Sequence, residues 1–212
     1  ISLVSTPTVS LDAVRVNKRY PSVSERSALK SNLRNNIGDW IDSRKVRTNE
    51  NNSVSIKGSL PRHAYNDKLV TVDHQNVSGA IDALIEPCGL VGPEGCTVTL
   101  IEVCLIIPIR HSKEFYIQSF TDKMFDKRYS FVQDYCDKGT GNGILFKNKS
   151  KSFKVYAPRY ADNTLKFEVT YELDGIRSLT DKVNSNGKYG LEVKTLEDPY
   201  LYNVLTQDLY GL

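Results

Sequence analysis

The longest alternation of apolar and polar positions lies at residues 97–120, which read TVTLIEVCLIIPIRHSKEFYIQSF. Ile101, Val103, Leu105 and the alternate residues after them form one apolar face, whereas the other face is polar only at its ends. This pattern is typical of a long strand that is buried on one face and partly covered on the other. A polar turn at 111–114 and a second apolar run at 115–120 predict that the strand begins a β-hairpin.

Shorter alternating runs predict further strands, at residues 53–57, 69–72, 143–146, 152–157, 165–173 and 189–196. In the clearest of them, residues 165–173, apolar side chains face one way and charged side chains the other. Asp174–Gly175 and Asn186–Gly187 are turn signals of the hairpin type. Eight or nine strands with short connections predict a mainly β fold, an antiparallel β-sandwich of the jelly-roll kind.

Helix is predicted in two short places. Residues 22–42 begin with a capping box at Ser22 and then place Leu29, Leu33 and Trp40 on one helical face. This amphipathic helix either packs over the end of the sheet or docks on a neighbouring subunit, in which case Leu29, Leu33 and Trp40 mediate self-association. A second helix is predicted at residues 78–86, before a proline.

The chain of 212 residues is long enough for one sizeable core and has no linker that would divide it. Residues 1–21 are rich in Ser, Thr and Val and read as an extended arm or an edge strand. We therefore expect an N-terminal arm at 1–21 and a single β-sandwich domain at 22–212. No apolar run approaches the roughly 20 residues that a membrane-spanning helix needs.

Charge is segregated along the chain, although the net charge is only +3. Residues 13–47 contain nine Lys/Arg and three acids, and residues 138–161 contain six Lys/Arg and no acid. Residues 162–212 reverse the balance, with nine acids and five Lys/Arg. Such segregation indicates a basic surface that faces an anionic partner.

No residue cluster amounts to a catalytic or metal-binding signature. The glycine-rich stretch 139–143 lacks the GK[ST] ending of a phosphate loop, and the four cysteines lack zinc-site spacing. Glu102, inside the apolar strand, is a perturbed acid, marks the end of a strand or pairs with an arginine. We therefore expect no catalytic residue, no metal, no cofactor and no small-molecule substrate, and a protein that is not an enzyme.

The strongest functional pattern is a basic stretch interleaved with aromatic residues. Lysines can contact phosphates and aromatic rings can stack on bases, as in sequence-tolerant binding of single strands. The alternative is a solvated hairpin whose lysines protect an edge strand from aggregation. The candidate nucleic-acid-binding residues are Lys147, Lys149, Lys151, Lys154, Arg159, Phe153 and Tyr156.

The strand TLIEVCLIIPI, the polar turn and the second strand ending near Asp122 resemble the cell-to-cell movement proteins of plant RNA viruses, which are similar in architecture to jelly-roll coat proteins. Asp122 takes the place of that family's aspartate, but Phe120 stands where a leucine is expected. The resemblance covers residues 69–173 and implies a protein that binds single-stranded RNA and associates with itself and with membranes.

The expected function is therefore that of a non-enzymatic viral RNA-binding protein of the movement or coat type, located in the cytoplasm of an infected cell or in a virion. One alternative is a matrix-type or secreted β-sandwich module whose basic face binds an anionic membrane surface, a glycan or a protein. The other is an enzyme with a dispersed site, which a deep pocket joining two histidines to a carboxylate would favour.

Overall fold

Ten strands form one antiparallel sheet in the computed structural model, which describes residues 9–19, 22–24, 27, 40–41, 44–48, 53–90, 92, 94–120, 129–132, 143–158, 163–182 and 190–210. The strands are β1 (Val9–Arg19), β2 (Trp40–Ile41), β3 (Arg44–Thr48), β4 (Ser53–Ser59), β5 (Cys96–Pro108), β6 (Ser130–Val132), β7 (Gly143–Lys147), β8 (Lys151–Tyr156), β9 (Thr164–Tyr171) and β10 (Leu191–Glu192). Their order is β2-β3-β4-β1-β5-β9-β8-β7-β6, and β10 pairs with the start of β5.

Five α-helices accompany the sheet within the described ranges. They are α1 (Leu60–Tyr65), α2 (Val77–Ile85), α3 (Lys113–Gln118), α4 (Leu173–Lys182) and α5 (Pro199–Tyr210), with short 3₁₀ helices at Glu86–Cys88 and Val193–Glu197. Among these residues, no helix is long and apolar enough to cross a lipid bilayer.

The helices cover the apolar face of the sheet. A Cβ atom on Gly58 of β4 would lie 2.5 Å from Leu84 Cδ1 of α2, so that face of β4 meets the helix directly. Tyr171 of β9 donates a hydrogen bond from its hydroxyl to Asp208 of α5 at 2.7 Å, and Lys151 Nζ contacts the same carboxylate at 2.5 Å. The core between the two layers contains the alternate apolar residues of β5.

The predicted central strand is confirmed, but its hairpin partner is wrong. β5 pairs with β1 and β9 over most of its length. Residues 113–118 form α3 instead of a strand, because Ser112 caps a helix by accepting a hydrogen bond from the Phe115 backbone amide, and Ile117 is buried in the core. Pro108 ends β5, as a residue without an amide proton should.

The prediction of a mainly antiparallel β protein with short helices is confirmed, whereas the jelly-roll sandwich is not. The described strands form a single open sheet, and helices take the place of a second sheet. Asp174–Gly175, predicted as a hairpin turn, lies in α4. Residues 69–72 form no strand, and within the described part of the predicted strand, residues 190–196, only Leu191–Glu192 are extended.

The segment predicted as an N-terminal arm contributes a central strand. Residues 9–19 form β1, which pairs with β4 on one side and with β5 on the other. Its apolar residues, including Val14 and Val16, are buried on the helix-covered face. Residues 1–8 lie outside the described residues, and the domain division at residue 21 stays a prediction.

The predicted helix at 22–42 is described only in part. Val23, Ser24 and Ser27 are helical, whereas Trp40 begins β2 and therefore is not part of a helix. Leu29 and Leu33 lie outside the described residues. The self-association role of Leu29, Leu33 and Trp40 stays a prediction.

Two helical glycines provide a test of the packing between α4 and the turn before β8. A Cβ atom on Gly175 would lie 2.4 Å from the backbone oxygen of Ser150, whereas a Cβ atom on Gly79 in α2 would meet nothing within 4 Å. Gly175→Ala should lower the free energy of unfolding by about 1–3 kcal/mol, and Gly79→Ala should raise it by about 0.5–1 kcal/mol. Urea denaturation measures both; equal effects would contradict the packing described here.

Candidate functional site

The face of the sheet opposite the helices is charged. Strand alternation places Lys166 and Glu168 of β9 on this face, beside Glu102 of β5 and Lys154 of β8. On the other side of β5, Lys57 of β4 lies on the same face. The polar positions of five neighbouring strands therefore meet on one surface.

Three carboxylates converge at the centre of this face. Asp12, Glu102 and Glu168 each offer a carboxylate oxygen, and these oxygens all lie within 4.8 Å of one another. Asp12 is the extra residue of a β-bulge, since Leu11 pairs with Val103 and Ala13 with Glu102. Asp12 alternates with Leu11 and therefore faces the charged side. The bulge places Ala13 on that side too, so that Val14 and Val16 return to the helix-covered face.

Three lysines neutralise the carboxylates. Lys57 Nζ lies 2.7 Å from Glu102 Oε1, and Lys166 Nζ lies 2.5 Å from Asp12 Oδ2 and 3.5 Å from Glu168 Oε2. Lys154 forms an ion pair with the other oxygen of Glu168. Because Glu168 and Lys166 are each only 3% exposed, each needs the opposite charge of the other and of its further partners to remain ionised.

The two glutamates of the cluster differ in acidity. Burial would raise the pKa of Glu168, but the charges of Lys154 and Lys166 and hydrogen bonds from Lys154 and Tyr156 lower it to about 2. Burial, together with the charge of Glu168, raises the pKa of Glu102 despite its contact with Lys57. The site therefore combines a firmly ionised carboxylate with one that accepts a proton more readily.

The buried lysine stays charged. Burial would lower the pKa of Lys166, but the charge of Asp12 outweighs this effect and raises the pKa well above its usual value. The Lys166 ammonium therefore acts as the internal counter-ion between Asp12 and Glu168.

Two hydroxyl groups border the cluster. The Tyr156 hydroxyl donates to Glu168 Oε2 at 3.2 Å, and Lys166 Nζ lies 5.9 Å from the centre of the Tyr156 ring. Thr170 lies directly opposite Glu102 in the ladder and is buried, and its Oγ1 atom has no hydrogen-bond partner in the described part of the chain.

A pocket of about 770 Å³ opens next to the carboxylates on the same face. Asp12 and Glu102 form part of its wall, so the cluster is adjacent to the space that a ligand would fill. Four cationic side chains from β1, β3 and β4 also line it, namely Arg15, Lys45, Arg47 and Lys57. The pocket thus places a basic wall beside an acidic centre.

The carboxylates fit a hard divalent cation. Mg²⁺ and Ca²⁺ prefer oxygen ligands, and oxygens on opposite sides of such an ion lie about 4–5 Å apart. The three carboxylate oxygens fall within that span, and the unpaired Thr170 Oγ1 supplies a further oxygen beside Glu102. Asp12, Glu102 and Glu168 are therefore the residues that could hold a metal ion.

The residues predicted from the basic stretch do not form one surface. Lys147 is exposed on β7, and Lys151 faces α5. Lys149 Nζ lies 3.3 Å from Asp174 Oδ2. Phe153 is buried in the core, whereas Lys154 and Tyr156 join the carboxylate cluster. Arg159 lies outside the described residues, as do Asp122 and residues 139–142 of the glycine-rich stretch.

Sequence reasoning missed the cluster because its members are far apart in the chain. The available signals were Glu102 within an apolar strand and the alternating charges of Lys166 and Glu168. Asp12 was missed because it lies in the segment predicted as an arm or an edge strand, and its place beside Glu102 depends on the pairing of β1 with β5, which the sequence pattern does not reveal. Glu102 is indeed a perturbed acid, but its partner is a lysine and not an arginine.

Comparisons with known proteins give little sequence information. No family model matches the chain, and no curated protein matches it. One similar solved structure is the rolling circle replication initiator protein from Geobacillus stearothermophilus, with a TM-score of 0.39, 8% identity and 98% of each chain covered.

The expected relationship to viral proteins is wrong. The described strands form one open sheet with helices on one face and no jelly-roll sandwich, so the resemblance to plant-virus movement proteins and coat proteins is wrong, together with the capsid and movement roles. The non-enzymatic function and the partners inferred from it, single-stranded RNA and an anionic membrane, are corrected as well. The physical reason is that any sheet with one buried face produces the alternation on which the resemblance depended.

The acidity of Glu168 predicts how stability depends on pH. Its pKa is lowered in the folded protein from an ordinary 4.5 to about 2, so its ion pairs stabilise the fold above pH 4.5 and are lost as the pH falls toward 2. The lost stabilisation is on the order of 3 kcal/mol. Urea denaturation between pH 2 and 6 should show a shallower pH dependence for Glu168→Gln than for the wild type.

The exposed Glu197 provides the matched control. Glu197→Gln should follow the wild-type curve, because it removes the same charge without touching the cluster. A Glu168→Gln curve that also parallels the wild type would show that the buried ion pairs do not control acid unfolding.

Proposed function

We propose that this protein is an enzyme that cleaves phosphodiester bonds of DNA with a divalent cation held by Asp12, Glu102 and Glu168. This proposal rests on three buried carboxylates from three adjacent strands, which converge beside a basic pocket of about 770 Å³. Phosphodiester substrates require both a cationic binding surface and a means of stabilising negative charge on phosphoryl oxygens. DNA is the phosphodiester polymer used to test the proposal, because its phosphate backbone is a polyanion.

A divalent cation bound here would polarise a phosphoryl oxygen and lower the pKa of a bound water. The chain itself supplies the remaining functions. The sheet fixes the three carboxylates, since each lies on a strand that pairs directly with the next. A site built on strands holds its groups more precisely than a site built on loops.

The lysines keep the carboxylates together before the cation binds. Three negative charges this close repel one another, and Lys57, Lys154 and Lys166 balance them. Lys57 is the most exposed of the three and lines the pocket. Its ammonium group can therefore leave Glu102 and pair with a phosphate of the substrate. Lys154 and Lys166 are more deeply buried and hold Glu168 in position.

Tyr156 is a positioning residue in this proposal. Its hydroxyl hydrogen bond to Glu168 orients the carboxylate, in the same way as the groups that surround ligands in other metal sites. The low pKa of Glu168 keeps that carboxylate ionised and available as a ligand over the physiological pH range.

Removal of one carboxylate should weaken cation binding and cleavage together. Glu102→Gln keeps an oxygen that can accept the Lys57 hydrogen bond but lacks the negative charge that a hard cation prefers. Isothermal titration with Mn²⁺ should show at least roughly tenfold weaker binding for this variant. Cleavage of a single-stranded DNA oligonucleotide in Mg²⁺ or Mn²⁺ should fall in parallel, while Glu197→Gln should match the wild type.

The cluster also has a second, purely structural interpretation, which the same measurements of cation binding and cleavage test. Because the lysines already neutralise the carboxylates, the network could serve only to hold neighbouring strands in register. Wild-type protein that binds neither Mn²⁺ nor Mg²⁺, and that cleaves no oligonucleotide, would establish that structural role and refute the proposed activity.

Tyr156→Phe separates a positioning role from a nucleophilic one. Loss of the hydroxyl should weaken Mn²⁺ binding by about 10–100-fold, as for other residues that orient metal ligands, and should leave residual cleavage at saturating cation. Mass spectrometry of the wild-type protein after reaction provides the second readout. A DNA fragment attached covalently to Tyr156 would make the tyrosine the nucleophile and would contradict the positioning role.

A further inference from the structure

The basic wall of the pocket has a regular arrangement that the carboxylate cluster does not require. Lys45 of β3 lies directly opposite Lys57 of β4, and Lys57 lies directly opposite Arg15 of β1. Three cations thus form a row across three adjacent strands on one face of the sheet. Adjacent strands are about 4.8 Å apart, so the row spans roughly 10 Å.

A second row lies two residues away along the same strands. Arg47 of β3 is opposite Ser55 of β4, and Ser55 is opposite Asn17 of β1. This row adds one cation, a hydroxyl and an amide to the pocket wall. The two rows are separated by about 7 Å along the strand direction.

The arrangement is unfavourable for the free protein. Like charges directly opposite each other on adjacent strands are destabilising. Lys57 is balanced by Glu102 at 2.7 Å, and Arg15 has only a longer contact of 3.6 Å with the half-exposed Glu172. No ion pair of Lys45 is found among the described residues, so the row carries excess positive charge toward the pocket.

Two residues of the pocket wall also have unpaired polar atoms. Ser59 Oγ and Asn17 Oδ1 are buried and have no hydrogen-bond partner within the described ranges. Rotation of the Ser59 side chain or of the Asn17 amide toward the pocket would present a donor there. Donors and cations of this kind are complementary to phosphate oxygens.

We infer that the two rows form a binding site for consecutive phosphates of a single DNA strand, which would lead the backbone toward Asp12 and Glu102. This inference rests on the proposed function. It assigns the phosphate backbone of the substrate to the part of the pocket wall formed by Arg15, Lys45, Arg47 and Ser55. Binding at this site depends on charge and hydrogen bonding and not on the carboxylate-bound cation.

The test is the affinity of a fluorescein-labelled single-stranded DNA oligonucleotide, measured by anisotropy in EDTA across a range of salt. Two phosphate contacts should give a slope of log affinity against log salt of about −1.4. The double variant Lys45→Glu/Arg47→Glu should bind roughly tenfold or more weakly and should flatten the slope. Its melting temperature checks that the variant is folded.

Lys113→Glu is the control for a general change in charge. Lys113 is exposed on α3, which lies near β8 and therefore on the far side of β5 and β9 from the pocket. Its affinity should stay close to that of the wild type. If the double reversal does not fold, Lys45→Gln/Arg47→Gln provides the same comparison without adding negative charge.

Equal affinity and slope for the pocket variant and the Lys113→Glu control would overturn the inference. The result for DNA affinity can be distinguished from the result for cation-dependent cleavage. Pocket-dependent binding without cation-dependent cleavage would support the phosphate site and reject the enzyme, whereas cleavage that needs Glu102 but ignores Lys45 and Arg47 would reject the phosphate site alone.

Discussion

Strand β5 pairs with β1 on one side and with β9 on the other, and this double pairing brings Asp12, Glu102 and Glu168 together. The same strand anchors the core through its apolar face, which packs under the helices. Fold and site therefore share one element. A change that shifted the register of β5 would expose its apolar residues and disperse the carboxylates at the same time.

The electrostatics of the open face follow from that geometry. Three buried carboxylates cannot remain ionised without counter-charges, and β4, β8 and β9 each supply a lysine. The resulting network is balanced near the core, whereas Lys45 on the pocket wall has no ion pair among the described residues. The excess positive charge therefore lies where an anionic ligand would enter.

The sequence predicts the parts of this structure that depend on local pattern. Ile101, Val103 and Leu105 identify the central strand, and the alternation around Val169 identifies β9. The pattern fails where local sequence is ambiguous. Asp174–Gly175 carries a hairpin signal, yet Gly175 lies in a helix because its missing side chain allows close approach to Ser150. Such contacts between distant segments override turn propensity.

The site is harder to predict than the fold. The spacing of Lys147, Lys149 and Lys151 indicates one face only if the chain is continuously extended, but residues 148–150 form the turn between β7 and β8. Lys151 consequently faces Asp208 of α5, on the helix side of the sheet. Lys154 lies on the opposite face, with Glu168. Strand pairing and turns decide the face of the sheet on which a charged side chain lies, and amino-acid composition reveals neither of them.

A crystal structure of the protein grown with Mn²⁺ and measured at the manganese absorption edge tests the central claim most directly. We expect an anomalous manganese peak within bonding distance of carboxylate oxygens from Asp12, Glu102 and Glu168, with at least one lysine ammonium displaced from its present contact. An ordered open face without such a peak, with Lys166 still between Asp12 and Glu168, would contradict the account.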